Sequence, residues 1–180
     1  QMTTADVLGY VASIVGLGML LGTLVMSAWG GPRRRVLGVL GFELIASLLT
    51  VVAGLHPSIP LITAAGFGIL FCMPIINGSS QAIWQSKVDP DVQGRVFAVR
   101  RMIAWFMSPL ARLIAGPLAD KVFEPAMQPG VGLAGTFGWL VGTGAGAGMA
   151  LILVLCGLAI VLVAVVGYAV RVVRDAEDIL

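Results

Sequence analysis

Two ionisable side chains stand alone inside long apolar runs, and that isolation limits the chemistry open to them. Arg112 lies in the run from Met102 to Ala119, eleven positions past Arg101, or about 16 Å further along a helix axis. Glu43 lies in the run from Val36 to Leu55, about 10 Å in from the arginines that precede it. An ionisable group at such depth in an apolar segment is costly and marks a solute path, a proton site or a counter-ion. If Arg112 faces a cavity, it attracts an anionic solute or holds down the pKa of a titrating acid; if it faces a neighbouring helix, it fixes packing. Glu43 either pairs with a neighbouring helix or the loop arginines, or takes up and releases a proton.

A third polar group closes the apolar run that begins near Leu61, where Asn77, Gly78, Ser79, Ser80, Gln81 and Gln85 occupy the last turns. Such residues must face protein or water rather than lipid. They line a pathway or form the cytoplasmic end of the helix. No catalytic set accompanies them: there is no Ser/His/Asp grouping, no paired intramembrane carboxylates and no metal-ligand cluster within a span. The only histidine, His56, falls in the short turn His56-Pro-Ser-Ile-Pro60, and Cys72 and Cys156 lie deep in apolar runs without CxxC spacing. The cysteines read as small buried hydrophobes. Gly142-Thr-Gly-Ala-Gly-Ala-Gly148 superficially resembles a phosphate-cradling loop but lacks GxGxxG spacing and follows no strand.

The elements that must position these groups are set by composition. Of 180 residues, 58% are hydrophobic and 11% charged, against about 25% charged in soluble domains; mean hydropathy is +1.00. The reading is therefore an all-α integral membrane protein, a polytopic helix bundle of about five transmembrane helices forming a single domain over 1–180. The expected spans are 7–29, 36–55, 61–84, 102–119 and 149–170, with a polar tail at 171–180. The first carries Gly18-x-x-x-Gly22, a spacing that lets another helix approach closely. Ser108-Pro109 predicts a kink in the fourth. Asp-Pro at 89–90 ends the third, and Asp91 is placed to cap the fourth. The stretch from Asp120 to Gly148 reads as a long Gly/Pro-rich connection, with Trp139 as an interfacial anchor.

With five spans, one side of the membrane holds nine basic residues: Arg33, Arg34, Arg35, Lys87, Arg95, Arg100, Arg101, Arg171 and Arg174. The other holds only Lys121. This bias predicts cytoplasmic arginine loops, a cytoplasmic C-terminus and an outside N-terminus. An outside N-terminus without a signal sequence is expected when further spans lie upstream. The basic loops are not interleaved with aromatics, so no nucleic-acid partner is expected, and no cofactor is implied.

Several runs carry a family resemblance: the first span into WGGPRRR, then DPDVQGRVFAVRRMIA, then LIAGPLADKVFEP. They resemble the C-terminal half of major facilitator superfamily transporters, nearest the bacterial branch that includes enterobactin exporters and macrolide efflux proteins. The resemblance covers essentially the whole chain, as the eighth to twelfth helices of a twelve-helix fold. It implies a multi-pass protein of the bacterial inner membrane, packed against N-terminal helices of the same chain. Such a protein moves a small amphipathic molecule, drug or siderophore outward by alternating access, coupled to protons. By resemblance, Asn77, Ser80, Gln81 and Arg112 belong to the substrate pathway, whereas Glu43 sits on a peripheral helix. Gly31, Arg33, Arg34, Arg35, Gly94, Arg95 and Arg101 belong to cytoplasmic gate segments. Ala28 stands about where the family's loop motif has an aspartate, so the loop lacks the acid of a full charge relay. The alternative from another class is a non-transporting membrane anchor or subunit attached to another activity.

Overall fold

The computed structural model describes residues 4–55, 58–128, 132–144 and 146–174; His56 and the tail beyond Arg174 lie outside the described residues. Every regular element among these is helical: α1 (Thr4–Trp29), α2 (Arg35–Leu55), α3 (Ile59–Lys87), α4 (Pro90–Leu118), α5 (Glu124–Ala126), α6 (Leu133–Val141), α7 (Ala147–Ala169) and α8 (Arg171–Arg174). Five helical stretches are long and apolar enough to cross a membrane: α1, α2, α3, α7 and the segment from Pro90 to Ala126 that contains α4. The contacts group the chain into two compact units, Gln1–Ile83 with Leu153–Leu180, and Trp84–Ile152.

In the first unit, glycines bring helix backbones together. A Cβ added at Gly18 or Gly22 would overlap the carbonyl oxygens of Phe67 and Phe71, so α1 lies directly against the α3 backbone. The Gly18/Gly22 spacing thus meets α3, its neighbour but one in sequence. Further contacts run in the same order along both helices, from Val15 with Gly66 to Met26 with Gly78, which makes α1 and α3 parallel. Leu49 against Gly68, and Ala46, Cys72 and Ile76 in one apolar cluster with Val39 and Phe42, make α2 and α3 antiparallel. Gly157 fits against Ser47 and Val51, Gly167 against Leu40, and the Tyr168 hydroxyl donates to the Leu37 carbonyl at 3.0 Å. These contacts make α2 and α7 antiparallel. The directions of these four helices are those of successive membrane crossings.

Polar side chains within this unit mostly return their hydrogen bonds to their own helix. Ser13 donates to the Gly9 carbonyl, Thr23 to Met19, Thr50 to Ala46 and Thr63 to Ile59. A hydroxyl satisfied in this way leaves no donor unpaired in an apolar environment.

The second unit corrects the expected boundaries. α4 begins at Pro90, so Arg95, Arg100 and Arg101 belong to the helix that carries the 102–119 span, and the connector from α3 is only Val88 and Asp89. Proline suits a first helical position because its missing N–H has no intrahelical partner there. Asp89 occupies the N-cap position, without a side-chain cap bond, and Asp91 lies in the first turn, where its charge complements the helix dipole. The capping position assigned to Asp91 is thus Asp89's. The helical path from Pro90 to Ala126 has 37 residues, about 55 Å against a hydrocarbon core of about 30 Å, so it extends well beyond a bilayer interior. After Pro117 it widens into a π-helical turn at Ala119–Phe123, and the Ala119 N–H is shared between the Ala115 and Gly116 carbonyls. Proline removes a helix donor and crowds the preceding turn, a recognised cause of such a register change. The connection expected to be irregular between Asp120 and Gly148 contains α6.

Gly9 and Gly16 have no neighbour within 4 Å of an added Cβ, whereas Gly18 and Gly22 meet backbone. Gly18→Leu and Gly22→Leu are therefore expected to lower stability by about 1–3 kcal/mol each. Gly9→Leu and Gly16→Leu should be neutral or slightly stabilising, since leucine favours a helix over glycine. Melting of the detergent-solubilised protein, followed by fluorescence-detected size exclusion, separates the two pairs.

Candidate substrate pathway and gate segments

α3 presents two unlike faces. Ala65, Cys72, Ile75, Ile76 and Ser79 are buried, whereas Asn77 and Gln81, one helical turn apart, are exposed, with Ser80 half-buried between them. Asn77 Nδ2 donates to the Met73 carbonyl at 2.9 Å. This bond uses one of the two amide N–H groups and leaves the other and the carbonyl oxygen for further partners. A membrane-length helix therefore carries an uncovered amide pair that can accept and donate hydrogen bonds to a solute.

Glu43 is half-buried on α2, and no hydrogen bond or ion pair joins it to another described residue. Arg112 belongs to the second unit. It is exposed on α4, and it too has no hydrogen bond or ion pair with a described residue. No residue of α4 is buried.

The turn between α1 and α2 depends on Gly30 and Gly31, at φ 76° and 89°, a left-handed backbone that side chains disfavour. An added Cβ at Gly31 would also meet the end of Met26 and approach Ser79 Oγ. Arg33 and Arg34 are exposed and Arg35 half-buried. α8 packs against α2, so Arg171 and Arg174 share the end of the first unit that carries this turn. Ser79 belongs to the polar group that the sequence placed in the last turns of α3, but it faces inward. It is 1% exposed, and its hydroxyl has no hydrogen-bond partner among the described residues. Only the three-dimensional approach of Gly31 reveals that it lies behind the arginine turn.

In the second unit, the α3–α4 corner is held by side chains that sequence reasoning also passed over. Gln93 Nε2 donates to the carbonyls of Gln85 at 3.1 Å and Val88 at 2.8 Å, satisfying acceptors left free at the end of α3. The Arg100 guanidinium lies 5.0 Å from the centre of the Trp84 ring, within cation–π range. Gly94 is exposed with open space beside it, and Arg95 and Arg101 are exposed on α4. Gly94 and Arg101 flank a groove of about 860 Å³ that continues past Trp105 to Pro109.

The glycine run before α7 does bind an anion, though an internal one. Gly142 and Gly144 turn through φ 83° and 104°, and the N–H groups of Gly146 and Gly148 donate to the two carboxylate oxygens of Glu124 at 2.5 and 3.1 Å. A carboxylate on the orphan donors of a helix N-terminus is favoured by both hydrogen bonding and the dipole. The glycines were the legible signal; Glu124 lies more than twenty positions earlier. Among the described residues, no group of three or more His, Cys, Asp or Glu side chains could hold a metal ion.

No family model matches the chain, and no solved structure matches it significantly. Several characterised proteins do match, three of which follow. Macrolide efflux protein A of Streptococcus pyogenes is 26% identical over 109 residues, 58% of this chain and 26% of that protein. The protein of the same name from Enterococcus faecalis is 27% identical over 97 residues, 52% of this chain and 29% of its own length. Multidrug efflux pump Tap of Mycolicibacterium fortuitum is 33% identical over 120 residues, 63% of this chain and 28% of the pump. The matched stretches thus span little more than a quarter of the relatives' length.

Because Glu124 is only half-buried, Glu124→Ala is expected to cost about 1–2 kcal/mol, and Glu124→Gln, which keeps an acceptor, less. Melting temperature measures the loss, and hydrogen exchange should rise at Gly146 and Gly148. Replacing Gln93 by leucine should raise exchange over residues 84–93 and leave residues 146–152 unchanged.

Proposed function

We propose that this chain is the C-terminal portion of a secondary active transporter of the major facilitator type. In this reading it lies in a bacterial inner membrane and moves a small amphipathic molecule, a drug or siderophore, outward by alternating access. The observation that carries the proposal is the uncovered amide pair Asn77 and Gln81 on a membrane-length helix, in a chain whose relatives are named as efflux proteins. An enzyme reading has no comparable support.

The parts divide as follows. Asn77, Ser80 and Gln81 offer the solute hydrogen bonds, and apolar neighbours give it a greasy surface. Arg112 supplies an exposed positive charge that selects an anionic end or pairs with a titrating acid of the N-terminal helices. Glu43, without an ion-pair partner among the described residues, is the site in this chain for proton exchange. The Gly31 turn with Arg33, Arg34 and Arg35, and the segment Gly94, Arg95 and Arg101, contact the N-terminal half at the cytoplasmic gate. The close backbone approach of α1 and α3 lets the two helices move as one body during rocking. The working partners are thus the lipid bilayer, the N-terminal helices of the same chain, the solute and protons.

The whole reading frame, expressed in a drug-hypersensitive bacterium, should lower accumulation of a macrolide or another amphipathic drug, and an uncoupler should abolish the effect. At equal membrane expression, Gln81→Ala and Asn77→Ala should each weaken apparent affinity about two- to tenfold, the range expected for one lost hydrogen bond. Arg112→Ala should impair export more than Arg112→Lys. Unchanged accumulation across a broad amphipathic panel would remove the transport reading, and normal export by both Arg112 variants would remove Arg112 from the pathway.

A further inference from the structure

A second groove in the Trp84–Ile152 unit has a different chemistry from the pathway face. It encloses about 500 Å³ between the last turn of α3 and the first half of α4. Its floor is the stripe Val92, Val96, Val99 and Ile103, spaced to lie along one side of a helix over about 16 Å. Its rim is Arg95, Arg100 and Trp84. Arg100 is half-buried and oriented over the Trp84 ring, whereas Arg95 is exposed. Asp89 and Asp91, the nearest acids in sequence, do not line the groove, so its only formal charges are positive.

The position of the groove along the helices fixes what can fill it. Trp84 is followed by Gln85, Ser86 and Lys87, which close a membrane-length helix, and tryptophan at such a boundary sits at headgroup level. The apolar stripe continues past Arg100 to Ile103, into the apolar run of α4 that begins at Met102. A ligand lying there meets cationic groups at one end and about 16 Å of aliphatic wall along its length. We propose that this groove is a binding site for an anionic phospholipid, with the phosphate on Arg95 and Arg100 and an acyl chain along Val96, Val99 and Ile103. A basic recess beside transmembrane helices at the cytoplasmic surface is suited to such headgroups. The Arg100–Trp84 contact holds one guanidinium in place before the lipid arrives. The site rests on the chain lying in a membrane with this corner at the cytoplasmic surface. Arg95, assigned above to a gate segment, is shared with the transport reading, and lipid retention and export are read by separate measurements, so either can fail without the other.

The test uses the intact protein, expressed from its whole reading frame, purified in mild detergent and examined by native mass spectrometry with added phosphatidylglycerol or phosphatidylcholine. The wild type should retain phosphatidylglycerol preferentially. Arg95→Gln, at an exposed position with no described side-chain contact, should weaken that retention about fivefold, as expected for one arginine at an anionic surface. Arg95→Gln with Arg100→Gln should abolish the preference, Arg95→Lys should keep most of it, and Lys121→Gln should leave it unchanged. Equal retention of the two lipids by the wild type, or undiminished preference in Arg95→Gln, would overturn the proposal. Displacement of phosphatidylglycerol by millimolar inorganic phosphate would overturn it too, by assigning the arginines to soluble anions.

Discussion

The first unit depends on direct backbone contact between α1 and α3 at Gly18 and Gly22. In lipid the hydrophobic effect does not drive helices together, so association rests on close packing, and small residues are what permit it. Two glycines one turn apart remove the side chains that would hold the axes apart and set α1 against the carbonyls of Phe67 and Phe71. The same device recurs at Gly157 and Gly167, where α7 meets α2. Together these contacts place the arginine turn, the C-terminal arginines and the polar end of α3 at one end of the unit.

That arrangement explains how a strongly apolar chain carries polar chemistry. Hydroxyls inside the spans are mostly absorbed by their own helices, and the amides of Asn77 and Gln81 stay uncovered. The exception, Ser79, is buried behind the Gly31 turn with its hydroxyl unpaired among the described residues. A buried donor of this kind is costly, and it lies where the Gly31 turn approaches α3.

The second unit uses charge differently. Glu124 fills the donor nest at the start of α7, and Gln93 closes the end of α3. Both satisfy backbone groups at helix ends, where a membrane protein must supply partners once the chain leaves water. The Arg100–Trp84 pair then fixes one cation at the same corner. No residue of α4 is buried, and its aromatic and basic side chains are largely exposed.

The sequence alone determined the class, because composition and the lengths of the apolar runs leave no soluble fold that could use so much hydrophobic surface. It also located the five membrane-length segments, since apolar length is a local property, and the Gly18/Gly22 spacing announced a close helix neighbour. It placed the start of α4 at the Asp-Pro corner but gave the cap to Asp91 rather than Asp89, since either acid suits a helix start, and it missed α6 inside a glycine-rich stretch. Only tertiary structure decided which helix the glycines meet, that the glycine run before α7 holds Glu124, that Ser79 lies buried behind Gly31, and that Trp84 and Arg100 share a groove. Each of these joins residues distant in the chain, and their partners are chosen by packing, which no local pattern records.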